Sequence, residues 1–89
     1  MDPSNARFVY VYAVALNDAG QTDRALMMLE DDLKRHPYDR DALAAMTDFY
    51  RSAAKPRQAI IYARRLAALE PNDAQVQKQL MQLNAEVRR

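Results

Sequence analysis

The sequence of 89 residues has no cysteine, no tryptophan and a single glycine, Gly20. Without cysteine there is no disulfide framework, no thiolate metal site and no haem-attachment motif, and the lack is compatible with any compartment. With one glycine there is no glycine-rich phosphate loop. Charge of one sign is missing too: 13 basic and 12 acidic residues leave a net charge of +1. That balance gives no prior for nucleic acid or for an anionic membrane. The longest apolar run, Phe8–Leu16, falls well short of the ~20 residues a spanning helix needs. The N-terminus has neither a basic leader region nor a small-residue cleavage site, so no signal peptide is expected.

What is present is an apolar content of 49%, enough for the core of one small domain, and a charged content of 28%, enough for a soluble surface. Four prolines, Pro3, Pro37, Pro56 and Pro71, punctuate otherwise unbroken stretches. Such stretches favour helices over a sandwich, which needs a turn signal every ~8–12 residues.

Pro3, Pro37 and Pro71 are spaced by 34 residues. Around them "DPSN", "HPYD" and "EPND" align, and two residues beyond each proline stands Asn5, Asp39 or Asp73. These side chains are good helix N-caps, because their oxygens accept from the orphan N–H groups of the next helix. In the same frame Ala25 falls on Ala59, Ala19 on Ala53, Val9 on Leu43, Tyr12 on Met46, Leu16 on Tyr50 and Leu26 on Ile60.

The segment Phe8–Tyr12 is β-branched and aromatic, as a buried strand would be. Yet Val9, Tyr12, Ala13 and Leu16 have the i, i+3, i+4, i+7 spacing of one helix face, and Leu43, Met46, Thr47 and Tyr50 repeat it. A strand would need a partner, and no other segment alternates. The spacing therefore predicts helices over Ala6–Ala19, Thr22–Arg35, Arg40–Ser52, Pro56 to just before Pro71, and Ala74–Val87. Gly20 closes the first through a positive φ. Pro56 opens the fourth as a first-turn residue. Glu30 with Lys34, and Asp31 with Arg35, are i, i+4 pairs in the favourable order. Val76, Leu80, Leu83 and Val87 form the apolar stripe of the fifth helix.

These residues resemble the tetratricopeptide repeat family. The resemblance spans nearly the whole chain, read as one domain, 1–89: a first repeat over 6–39, a second over 40–73 and a capping helix over 74–89. It implies an all-α superhelix, a solenoid of five antiparallel helices with a concave groove. The pentatricopeptide family is similar in architecture, but it repeats at 35 residues and reads single-stranded RNA. There are departures from the family pattern. Ala54 stands where Gly20 stands, which predicts a strained or differently built turn. Ala63 replaces the bulk of Leu29, with Leu66 and Leu69 as candidates to restore it. Asp32 and Leu66 occupy places where a small residue is usual.

The resemblance implies that the first helix of each pair lines the groove. The matching positions are Arg7, Tyr10, Val14 and Asn17, then Asp41, Ala44, Asp48 and Arg51, then Gln75, Lys78 and Gln82. The family's carboxylate clamp of Lys and Asn is absent, since Tyr10, Val14, Ala44 and Asp48 stand at its places. The groove is expected to have an aromatic wall at Tyr10 and an acidic middle at Asp41 and Asp48, suited to a protein or peptide with an apolar anchor and a basic residue.

The fifth helix carries a polar coat, as terminal repeats require, whereas the first is apolar around most of its circumference. Phe8, Tyr10, Val11 and Val14 are therefore candidates for a self-association face in a homodimer. They are also candidates for a seat for an upstream repeat of a longer parent chain; such repeat pairs occur at the ends of larger bacterial proteins. A third possibility is a small patch with the Tyr10 and Tyr12 hydroxyls in water.

Chemistry is sparse. His36 is the only histidine and sits at a helix end with no nucleophile implied nearby. Glu30, Asp31 and Asp32 are adjacent on a helix and point apart, so they cannot share an ion. Arg57, Arg64 and Arg65 form an i, i+7, i+8 stripe that offers nucleic acid an outside chance. Met27, Met28, Met46 and Met81 are expected as core filler. The sequence predicts a non-enzymatic interaction module with no cofactor, no metal, no nucleic acid and no membrane partner.

Overall fold

The computed structural model describes the backbone of residues 6–88 and the side chains from Phe8 to Arg88. Five helices follow one another: α1 (Ala6–Asp18), α2 (Thr22–Arg35), α3 (Arg40–Ser52), α4 (Pro56–Leu69) and α5 (Ala74–Val87). There is no strand among the described residues, and the chain is an all-α helical repeat. Each helix packs on the next, and α1 also touches α3. The molecule measures 42 × 28 × 19 Å. Its shortest dimension is two helix diameters, each about 10–12 Å, so the helices form two layers.

The punctuation residues act as their chemistry requires. The Asp39 side chain accepts from the Ala42 N–H at 3.3 Å. Asp73 accepts from the Gln75 and Val76 N–H groups at 3.0 and 3.2 Å. The third expected cap, Asn5, lies outside the described residues. Pro56 opens α4.

The two hairpin turns share one hydrogen-bond pattern. After α1, the Gly20 N–H donates to the Asn17 carbonyl at 3.0 Å and the Gln21 N–H to the Leu16 carbonyl at 2.8 Å. Thirty-four positions on, Ala54 donates to Arg51 at 3.1 Å and Lys55 to Tyr50 at 2.9 Å. This pair of bonds is the Schellman motif, which needs a left-handed residue. Gly20 supplies it at φ +81°, and Ala54 is forced into it at φ +59°. The turn expected to be strained or differently built is thus built the same way and strained.

Most of the core runs through both hairpins: Ala13, Leu26, Leu29, Leu33, Leu43, Met46, Phe49, Leu66, Ala67 and Val76 lie in one buried cluster. Ala59, Ile60, Ala63 and Leu83 form a second between α4 and α5, and Tyr50 and Leu80 pack against both. Each fully buried leucine contributes on the order of 1.5–3 kcal/mol. Ala63 shares its cluster with Leu83 of α5, which supplies bulk there, while Leu66 is buried in the main cluster and Leu69 is exposed. Thr47, buried in α3, satisfies its hydroxyl by donating to the Leu43 carbonyl at 2.9 Å.

Three sequence expectations are corrected. Tyr12, expected on the buried face of α1, is 48% exposed. Its partner in the 34-residue frame, Met46, is buried because α1 and α2 precede it, and no described hairpin precedes Tyr12. Met27 and Met81 are 70% and 71% exposed and fill no core. Asp31 does pair with Arg35, but Glu30 accepts a long hydrogen bond from the Tyr50 hydroxyl at 3.5 Å instead of meeting Lys34.

Candidate functional site

A cleft of about 550 Å³ lies between α3 and α5. Both helices pack on α4, but their backbones do not touch each other. The space this leaves is floored by Ala44, Leu66 and Val76 and walled by polar side chains.

Bridges cross the cleft. Gln79 donates to Asp48 at 3.1 Å. The Arg51 guanidinium donates to Gln82 at 3.2 Å and lies 3.5 Å from Glu86. Arg40, at the start of α3, pairs with Glu70 and lies 3.6 Å from Asp41 and 3.9 Å from Asp73. Glu70 holds the Arg40 guanidinium above its ordinary pKa, chiefly by hydrogen bond and then by charge. The Val76 N–H, followed by further backbone and charge contacts, holds the Asp73 carboxyl below the usual carboxylate range. Two charges of opposite sign on the walls have no ionic partner among the described residues: Asp48, met only by the Gln79 amide, and Lys78.

Of the groove positions named from sequence, Ala44, Asp48, Arg51, Gln75, Lys78 and Gln82 line this one cleft. Asp41 stands outside it, exposed beside Arg40. The expected acidic middle is therefore reduced to Asp48. The α1 positions do not join the cleft. Tyr10 and Val14 are half-buried against the main core, which removes the expected aromatic wall. Asn17 serves the α1–α2 turn, its side chain accepting from the Thr22 hydroxyl at 2.7 Å. The Arg7 side chain lies outside the described residues. Arg40, Leu66, Asp73, Val76 and Gln79 line the cleft as well, and the sequence pattern did not single them out. The N-cap role of Asp73 was the one available signal, since a cap stands at the mouth between two helices.

The proposed self-association face is divided in the same way. Tyr10 and Val14 turn toward the core, and Phe8 and Val11 toward the outside. The stripe that faces out is Phe8, Val11, Tyr12 and Ala15.

The arginine stripe is broken up. Arg65 donates to the Pro37 carbonyl at 3.1 Å and lies over the Tyr62 ring at 5.8 Å, while Arg57 and Arg64 remain exposed. Beside it, Glu30, Leu33, Lys34, Tyr62 and Arg65 line a shallower hollow of about 230 Å³. Tyr62 stacks on Tyr50 with ring centroids 5.8 Å apart. Burial, and then the nearby Glu30 carboxylate, raise both phenol pKa values.

A second concentration of buried polar atoms lies behind the cap of α3. Asp32, only 4% exposed, and Asp39 each bury a carboxylate oxygen with no hydrogen-bond partner. Two carboxylates supply four acceptors and no donor unless one carries a proton. Burial first, and then the hydrogen bond and charge of Asp39, raise the Asp32 carboxyl to about 6, against the opposing pull of His36 and Arg35. No group of three or more metal-ligating side chains occurs among the described residues, and none of their helices is long and apolar enough to cross a membrane. Compared with known proteins, the chain matches no family model and no curated protein.

Proposed function

We propose that this chain is a tetratricopeptide-type repeat module that receives a segment of another protein in the cleft between α3 and α5. The repeat assignment draws support from backbone chemistry. The caps at Asp39 and Asp73 and the turns at Gly20 and Ala54 recur with the same bonds 34 residues apart. The observation that carries the binding role is the cleft itself: an apolar floor with Asp48 and Lys78 uncompensated on its walls. Its occupant presents a small apolar side chain to Ala44, Leu66 and Val76, flanked by a basic group for Asp48 and an acidic one for Lys78. Ion pairs this exposed set register and partner choice more than affinity. The proposal involves no catalytic step and no cofactor.

Selection of peptides from a random displayed library, followed by amide chemical-shift mapping, tests it. Bound peptides are expected to move the amides of Ala44, Val76 and Gln79. Asp48→Lys and Lys78→Glu are each expected to weaken binding about threefold to fivefold. Selected peptides that bind equally well to both variants and leave those amides unmoved would remove the proposal.

A further inference from the structure

The 34-residue spacing allows one stripe to be compared in three helices. On α3 it is Ala42, Ala45, Met46 and Phe49, all buried. On α5 it is Val76, Gln79, Leu80 and Leu83, buried or half-buried. On α1 it is Phe8, Val11, Tyr12 and Ala15, all exposed, with Val11 at 58%. The α3 stripe packs on the preceding hairpin and the α5 stripe on α4, with Gln79 at the cleft wall, so the stripe is mainly a helix-packing face.

The opposite end of the molecule cannot cover it. The positions that face onward are apolar or buried on α1 (Val9, Ala13, Leu16) and on α3 (Leu43, Thr47, Tyr50). On α5 they are Gln77, Met81 and Asn84. Two of those three are polar, which disfavours head-to-tail stacking of copies and the open filament it would generate. The match for the α1 stripe within this molecule is the same stripe on another copy.

Its relief is self-complementary. The Phe8 and Tyr12 rings stack with centroids 6.2 Å apart and make an i, i+4 ridge. Val11 and Ala15, with smaller side chains, make a lower row beside it. We propose that two copies of this chain pair through α1, antiparallel about a two-fold axis passing between Val11 and Tyr12. The ridge of each copy then fits the low row of the other: Phe8 against the partner's Ala15, Tyr12 against the partner's Val11. This is ridge-into-groove packing made reciprocal by the axis, and the antiparallel order also opposes the two helix dipoles favourably. The exposed parts of the four side chains amount to on the order of 300 Å² per copy. A standard interface takes about 800 Å² per partner. The dimer is therefore weak and transient.

Sedimentation equilibrium of the 89-residue chain tests this. Average mass is expected to rise from one chain toward two between about 0.01 and 1 mM. Val11→Glu and Ala15→Arg, each at an exposed position, are expected to weaken association at least tenfold while far-ultraviolet circular dichroism stays unchanged. Ile61→Glu, on the exposed face of α4 and similarly apolar, is the control and leaves the mass curve as it is. A chain that stays monomeric to about 1 mM overturns the proposal and leaves the stripe to another occupant, such as a helical hairpin of a longer chain. Association untouched by both α1 variants overturns it equally.

Discussion

The hairpins α1–α2 and α3–α4 have helices of the same lengths and the same turn bonds, and different side chains. Their turns carry identical hydrogen bonds, yet one uses Gly20 and the other Ala54. In their second helices the pair Leu29 and Asp32 in one corresponds to Ala63 and Leu66 in the other. All four of these side chains are buried. The first hairpin has a relaxed turn and a buried carboxylate. The second has a strained turn and, as its one buried polar side chain among the described residues, the self-satisfied hydroxyl of Thr47. Caps and turn bonds specify the hairpin, and bulk is exchangeable between neighbouring positions provided the total fills the space. Each hairpin carries a local defect that the other lacks, so each supplies the control for the other.

The largest effect expected from this comparison is in the exchange of bulk. Leu29 is fully buried in the main cluster. Leu29→Ala would make it like its counterpart Ala63 without a leucine such as Leu83, which shares the cluster of Ala63. The expected loss is about 3 kcal/mol, a large part of what a domain of this size has. Ala63→Leu in the other hairpin meets Ile60 and Leu83 already in place and is expected to lose about 1–3 kcal/mol by overpacking. Urea unfolding midpoints of the two variants measure both. If Leu29→Ala lost less than about 1 kcal/mol, bulk would not be what distinguishes the hairpins.

A smaller effect lies in the carboxylate. The Asp32 carboxyl titrates near about 6 in the folded chain and near 3.8 when unfolded. The folded state thus holds the extra proton between those values, and linkage makes stability fall as pH rises through that window and level off above it. Full stability from this site is present below about pH 4. Asp32→Asn keeps the shape and offers an amide donor to the orphan oxygen of Asp39. The variant is expected to be about 1–2 kcal/mol more stable than the parent at pH 7 and nearly equal to it at pH 4. Comparing the two proteins by thermal unfolding from pH 4 to 7 cancels the other carboxyl groups. A difference that is flat with pH would mean that burial does not raise the Asp32 carboxyl.

The element boundaries were legible because proline, cap and turn residues act locally: Pro37, Asp39, Gly20, Pro56 and Asp73 all do their expected work within a few residues of themselves. The face of α1 was half legible. Ala13 is buried as its spacing predicts, but Tyr12 faces out, because burial at that place depends on what lies before the helix and not on the helix itself. The cleft was legible where positions on α3 and α5 follow the repeat, and illegible at Arg40, Leu66 and Gln79. Which residues wall it depends on the separation of α3 from α5, and no residue spacing encodes that distance. Asp32 stood out only as an unusual size at its position. Its contact with Asp39 comes from the loop through Pro37, which folds two residues seven apart onto each other.

The smallest effect is the sharpest, because its two halves must have opposite signs. Ala54 stands at φ +59°. A left-handed conformation costs a residue with a Cβ about 1–2 kcal/mol, so Ala54→Gly relieves strain in the folded chain. Against that, glycine raises the conformational entropy of the unfolded chain by about 0.4–1 kcal/mol. The net expectation is a gain of about 0.5–1 kcal/mol, roughly 3–6 °C in unfolding temperature for a domain this small. At Gly20, with φ +81°, an added Cβ would meet no atom within 4 Å. Gly20→Ala is therefore expected to lose a similar amount through backbone conformation alone, with no steric contribution. Thermal unfolding of the two single variants and of the exchange variant carrying both would show the exchange close to neutral, since the turns lie at different places and share no hydrogen bond. A loss at Ala54→Gly would mean that the second turn does not take the left-handed form in solution, and the equivalence of the two hairpins would fail at its most local point.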